Sequence, residues 1–355
     1  MKILAINPGS TSTKVAVYED ETPLLVQVIR HSMEDLAPFP SVNEQFDFRM
    51  ALVLSKLKEA GIPLCFDAII GRGGILKPIQ GGVYAINEVM KHALTHTPSN
   101  KNHASNLGGL MADQLAAQIP GCRAFIADPV VTDELDEVAR LTGIPSLPRT
   151  SVFHALNQKA VARRYAREHN TAYERLNLIV CHLGGGISIA AHRKGRIVDV
   201  NNALDGEGPF SPQRAGTLPS GDLIDLCFSG KTTREELKTS ISGHTGLVAY
   251  LGTTDVAAIV QSIYQGDKRA ELVLDAMIYN IAKSVGGAAT VLCGQVEAII
   301  LTGGIAYSEY VVSRLEKRIS FLASVTVYPG EDEMEALANN ALLALRGELP
   351  VREYR

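Results

Sequence analysis

Residues 1–18 and 177–191 follow one pattern, and no other feature of the chain limits its fold as much. In the first stretch the apolar run Ile3-Leu4-Ala5-Ile6 stops at Asn7-Pro8-Gly9. A turn of four hydroxyls follows (Ser10, Thr11, Ser12, Thr13), then Lys14 and the alternating Val15-Ala16-Val17-Tyr18. In the second, NLIVCHLGGGISIAA runs from an apolar strand through His182 and the triple glycine Gly184-Gly185-Gly186 into another strand. Each reads as a β-hairpin with one or more glycines in its turn. Glycine lets backbone approach a ligand closely, and exposed amides beside hydroxyls and a lysine suit phosphate. One such turn reads equally well as an ordinary polar hairpin tip. Two of them, at corresponding places in two halves, predict a duplicated fold whose paired turns face one cleft and hold a polyphosphate.

With 355 residues the chain is expected to form two domains. Its 34 basic and 38 acidic residues leave a net charge of −4 and no basic block, which argues against a nucleic-acid partner. The five cysteines lie far apart without a CxxC pair, so a metal cluster or disulfide framework is not expected. Buried thiols in a reducing compartment are the default. The N-terminal apolar run is too short for a signal peptide, and no stretch approaches eighteen uninterrupted apolar residues. The expectation is a cytoplasmic protein without membrane spans.

Strands and helices alternate along the rest of the chain, which predicts an α/β fold. A third strand is expected at 24–30, a helix at 44–60, and a strand at 66–70 that runs into Gly71-Arg72-Gly73-Gly74. Arg72 thus sits at the C-terminal end of a strand, the edge where open α/β sheets bind ligands, although a solvated turn arginine fits as well. A helix over 103–118 starts near His103, and its Gly108-Gly109 allows close packing or approach to a ligand. Asp128 ends the strand 123–127 at the same kind of edge, where it holds a cation or a basic partner, or caps a helix. The helix 149–169 carries His154 in its first turn, under positive potential from the helix dipole. Residues 201–222 have no apolar period and read as an irregular loop. Helices follow at 222–229, 233–240, 254–264 and 268–293; the last is a core helix or an interface between copies. The strand 297–302 enters Gly303-Gly304, a late strand–turn–helix unit suited to the rest of a nucleotide, before a strand at 324–328 and a terminal helix.

The segments NPGSTSTK, GRGG, HASN, DPVV, SVFHALNQ, HLGGGISIA, DVNNALDGEGP and LTGGIA together resemble the acetate/butyrate kinase family, over essentially the whole chain. The resemblance implies two duplicated ribonuclease-H-like (actin-like ATPase) domains with a nucleotide cleft between them. These would span residues 1–150 and 151–333, with a C-terminal helix (334–355) returning to the first. It places Asn7, Ser10, Ser12 and Lys14 in a first phosphate turn, with Asn7 near magnesium-bound phosphates. Arg72 and His103 fall in the substrate cleft, Asp128 at the catalytic aspartate, and His154 at a histidine that contacts the transferring phosphoryl group. His182 with Gly184, Gly185 and Gly186 forms the second phosphate turn, and Asp255, Gly303 and Gly304 hold adenosine.

The sequence departs from acetate kinases in three places. They carry an arginine just before Ser-Gly-Asp, where this chain has Pro219, so Arg214 is the candidate replacement. They place a glutamate soon after the late Gly-Gly, where this chain reads Ala306-Tyr307-Ser308. They also have bulkier residues after the cleft arginine than Gly73-Gly74, which predicts more room for an acyl tail. The implied reaction is transfer of a phosphoryl group from ATP, with Mg2+, to a short-chain carboxylate, giving ADP and an acyl phosphate. The implied assembly is a homodimer or higher homo-oligomer.

Overall fold

The computed structural model describes residues 1–96 and 103–355. They form two compact units, Met1–Thr132 with Asp332–Arg355, and Asp133–Glu331. The chain leaves the first unit before residue 150 because the intervening segment is bound to the second. Leu135, Phe153 and Ala155 share a buried cluster with Ala190, Ile197 and Val200.

In the first unit the strands are β1 (Lys2–Pro8), β2 (Ser12–Glu19), β3 (Thr22–Arg30), β4 (Ala68–Arg72), β5 (Val83–Ala85) and β6 (Arg123–Ala127). With the C-terminal strand Val351–Glu353 they make a seven-stranded sheet, ordered C-terminal strand, β5, β6, β4, β1, β2, β3. β1–β2–β3 is an antiparallel meander, while β4 is parallel to β1 and β6 is parallel to β4. Helices α1 (Phe46–Glu59) and α2 (Asn106–Ala116) bury Met50, Val53, Leu107 and Met111 against Leu4, Ile6, Val15 and Val17. The glycines of α2 serve packing: a Cβ at Gly108 would run into the Arg72 backbone, and one at Gly109 would press on Leu94 and Ile126. The C-terminal helix Glu333–Leu345 and the C-terminal strand belong to this unit.

The second unit repeats the plan. Its strands are β7 (Asn177–Leu183), β8 (Ile187–Arg193), β9 (Arg196–Val200), β10 (Ala298–Gly303) and β11 (Ser324–Pro329), in sheet order β11, β10, β7, β8, β9. β7–β8–β9 is an antiparallel meander, β10 is parallel to β7, and β11 is parallel to β10. That is the arrangement of β1, β2, β3, β4 and β6. β7 is buried along its whole length, with Ile179, Cys181 and Leu183 packed on one face and Leu178 and Val180 on the other. Six helices matter here: α3 (Ala155–Glu168), α4 (Ser220–Phe228), α5 (Arg234–Gly243), α6 (Val256–Tyr264), α7 (Lys268–Val291) and α8 (Glu309–Ile319). Leu274, Met277, Ile281 and Val285 of α7 lie in the core of the unit, which makes it a core helix. α4 and α5 contain no buried residue.

The thiols depart from expectation. All five are free, but only Cys181 is buried, while Cys65, Cys227 and Cys293 are exposed and Cys122 is intermediate. Among the described residues no helix is long and apolar enough to cross a membrane.

Candidate active site

In the first unit, the β1–β2 turn is held from beneath by a residue that the sequence did not single out. Arg49 of α1 is fully buried. Its guanidinium donates to the carbonyls of Gly9 (2.9 Å), Ser12 (3.0 Å) and Ser10 (3.1 Å), to Thr13 Oγ1 (3.0 Å), and to Gln45 Oε1 (3.0 and 2.9 Å). A fourth turn carbonyl, that of Thr11, accepts from His31 N–H at 2.9 Å. The turn's carbonyls are thereby committed inside the unit. Burial lowers the Arg49 pKa, yet a guanidinium stays charged in proteins.

Three of the expected residues meet at one carboxylate that was also missed. Glu333, at the start of the C-terminal helix, accepts from Asn7 Nδ2 at 2.6 Å, pairs with Lys14 Nζ at 3.6 Å, and forms an ion pair with Arg72. The Asn7 group facing a carboxylate must be its amide NH2, which leaves Asn7 Oδ1 as an acceptor. Burial pushes the Glu333 carboxyl up, but the charges of Arg72 and Lys14 and the hydrogen bonds from Asn7 and Arg72 outweigh it. The net pKa lies below the usual glutamate value. Arg72 is 12% exposed and Lys14 41%, so the lysine reaches solvent while the arginine is largely enclosed.

His103 precedes α2 rather than starting it, and its Nδ1 accepts from Ser105 N–H at 3.1 Å. Desolvation of the ring, with the charges of Arg72 and Arg49, lowers its pKa. Asp128 is fully buried at φ 38°, and its Oδ1 accepts from Gly82 N–H at 2.7 Å. It follows Ala127, the cross-strand partner of Arg72. The room expected beside Gly73-Gly74 is already filled. A Cβ on Gly73 would strike Pro129, and one on Gly74 would strike Asn106, whose Oδ1 accepts from Ile75 N–H at 2.7 Å. These glycines serve close packing and open no space for an acyl tail.

In the second unit the β7–β8 turn is built of glycine. A Cβ on Gly185 would crowd Gln213, and one on Gly186 would strike the Arg214 guanidinium. Ser211 Oγ donates to the Gly185 carbonyl at 2.5 Å and accepts from Arg214 N–H at 3.1 Å. The Arg214 guanidinium donates to the Ala203 carbonyl at 2.5 Å, and its buried Nε has no partner among the described residues. Burial lowers the Arg214 pKa despite the charge of Asp205. The structure thus puts Arg214 beside the second turn.

His154 is the N-cap of α3 rather than a first-turn residue, because its ψ of 58° is not helical. Its ring stacks on that of His182, centroids 3.8 Å apart and 13° from parallel. His182 is 2% exposed and lies 3.8 Å from Glu331. A cavity of about 560 Å³ opens beside this turn. It is lined by Gly184, Gly185, Asp255 and Gly304, together with Tyr264 and Tyr310, which the sequence reading passed over. Asp255 caps α6 by accepting from Ala257 and Ala258 N–H at 2.9 and 3.1 Å. Gly303, at φ 89°, packs on the Leu183 backbone, where a Cβ has no room.

Residues 146–339 match the Acetokinase family. This chain belongs to that family. It is 66% identical over 355 residues, and over the full length of both chains, to a protein named "Probable butyrate kinase" from Bacteroides thetaiotaomicron. It is 51% identical to "Butyrate kinase 2" from Clostridium acetobutylicum, covering all of this chain and 99% of that one. Among solved structures, the acetate kinase of Porphyromonas gingivalis superposes with a TM-score of 0.79 at 20% identity, covering 97% of this chain and 99% of that one. At that identity the likeness speaks for the fold alone, and not for the substrate.

Proposed function

We propose that this chain transfers the γ-phosphoryl group of ATP reversibly to a short-chain carboxylate, butyrate foremost, giving an acyl phosphate and ADP. The observation that carries the reading is full-length identity of 66% and 51% to proteins named as butyrate kinases. The preference for four carbons rests on those relatives alone, since Gly73 and Gly74 leave no extra room.

The residues suit the chemistry. A carboxylate is already ionised at neutral pH, so the acceptor needs no strong base. The work is to neutralise repulsion between two anions, align them, and stabilise charge on the group in transit. In the first unit Arg72 presents a planar fork to a carboxylate or phosphoryl group, and Lys14 adds a second charge. Glu333 engages both cations in the structure, and an incoming anion would compete with it for them. Asp128, buried and committed to the Gly82 amide, acts as an orienting group rather than as a base.

In the second unit the glycine turn with Arg214 receives phosphate, the cavity beside it receives adenosine, and His154 donates to the transferring group. Asn7 and Glu333 offer oxygen donors of the kind magnesium takes. Among the described residues no cluster of three or more His, Cys, Asp or Glu could hold a metal. Magnesium would come with the nucleotide's phosphates, whose charge it would neutralise. Transfer is direct and in line, without a phosphorylated protein group.

The test is ATP-dependent acyl phosphate formation, trapped with hydroxylamine, across acetate, propionate, butyrate, isobutyrate and valerate. A maximum at butyrate or isobutyrate is expected. A maximum at acetate would overturn the substrate while keeping the reaction.

A further inference from the structure

A chain of hydrogen bonds runs from the interior of the second unit to His154, and its direction can be worked out. Gln158, one turn along α3 from His154, places its side-chain amide 3.1 Å from the Ser188 carbonyl and 2.8 Å from Ser188 Oγ. A carbonyl only accepts, so the group facing it is the amide NH2 and Oε1 points the other way. Gln158 Oε1 lies 3.0 Å from His192 Nε2, which must therefore carry a hydrogen. His192 is fully buried, and burial, with Lys159 and Arg163 nearby, holds its pKa well below the ordinary histidine value. The ring is neutral, so its Nδ1 is bare and accepts from the Tyr173 hydroxyl at 2.8 Å.

Ser188 Oγ accepts from Gln158, and among the described residues the acceptor facing its buried hydrogen is His154 Nδ1 at 3.0 Å, so the hydroxyl donates there. His154 then has a bare Nδ1 and carries its proton on Nε2. Ser188 and His192 lie four residues apart on β8 and so point to the same face of the sheet. Ser188 also pairs across the strands with His182, on which the His154 ring stacks. Ser188, Gln158 and His192 are each 0% exposed, so none of the three can touch substrate.

The geometry points to Ser188, Gln158 and His192 as positioning residues that fix His154 as its Nε2–H tautomer, so that a hydrogen-bond donor is preset for the transferring phosphoryl group. This rests on the reading of His154 as a group that contacts that phosphoryl. A serine that merely packs would not set a tautomer.

The test is nitrogen NMR of the full-length protein with labelled histidine, the His154 signals being assigned by their loss in His154→Gln. Wild-type protein is expected to show protonated Nε2 and bare Nδ1 at His154, and a proton on Nδ1 would overturn the proposal without any variant. Ser188→Ala is expected to give mixed tautomers and to lower kcat on the order of 10–100-fold, the usual scale for a group acting through another. KM values for ATP and butyrate should change little, and Ser188→Thr, which keeps the hydroxyl, should restore both tautomer and kcat. An Ala variant that is folded, with wild-type tautomer and kcat, would refute it. Full activity in His154→Ala would remove the role of His154, and the proposal with it, whatever the tautomer, so the two failures are told apart.

Discussion

The two hairpin turns share a backbone plan but not a chemistry. In the first, hydroxyl residues and one glycine form a turn whose carbonyls are held by Arg49 and His31, with Asn7, Lys14, Arg72 and Glu333 gathered around it. In the second, three glycines form a bare turn flanked by Arg214 and a stacked pair of histidines. The first set is charged and exchanges ion pairs; the second is mostly neutral and offers backbone and imidazole donors. The two scaffolds are equivalent, and on the proposed reading their side chains divide the work. The cations suited to an acyl acceptor lie in one unit, and the groups suited to a nucleotide lie in the other.

Arg72→Ala should break this division most severely. Loss of one donor to a transition-state anion typically costs about 10²–10³ in rate, and Arg72→Lys should recover little of it because the planar fork is gone. Hydroxamate formation from butyrate reads both. If the lysine variant matches wild type, charge alone explains Arg72.

Arg49→Met should act on stability, and in the first unit. It takes the donor from the Gly9 and Ser10 carbonyls and from the buried Gln45 Oε1, while the Ser12 carbonyl keeps its bond from Gly9 N–H; on the scale of one buried unsatisfied group the cost is about 1–3 kcal/mol. Thermal unfolding with hydrogen exchange resolved by segment measures it. Protection lost first from Asp133–Glu331 would contradict the assignment.

Glu333→Gln sharpens the comparison through pH. The folded pKa of Glu333 lies below its ordinary value, so its ion pairs stabilise fully above the usual carboxylate range and are lost as pH falls through the lowered pKa. Urea midpoints between neutral and acid pH should therefore fall more steeply for wild type than for the variant. Parallel curves would mean that the pairs contribute nothing.

Asp255 gives the smallest effect. Asp255→Ala removes the cap of α6 and should cost about 1 kcal/mol, whereas Asp255→Asn keeps the cap. If both weaken ATP binding equally, Asp255 meets the nucleotide; if only the alanine variant does, the loss comes through the helix end.

Much of this was legible in the chain. Apolar runs broken by glycine marked β1, β2, β7, β8 and β10, and the repeated hairpin announced the duplication. Glu333 was not legible, because it lies 326 residues from the Asn7 that it binds and nothing local marks it. Arg49 is one of several charges in the helix expected at 44–60, and its place beside the buried Met50 and Val53 was the available signal. The space at Gly73-Gly74 was misread because a missing side chain says nothing about which neighbour fills its place. Three-residue strands such as β5 are too short to show a period.

The most direct measurement follows ADP release and butyryl hydroxamate together, in one reaction containing ATP, magnesium, butyrate and hydroxylamine. The two products should appear one for one, and both should vanish without the acid. ADP released with no acyl product would contradict this, and would make the chain a nucleotide hydrolase.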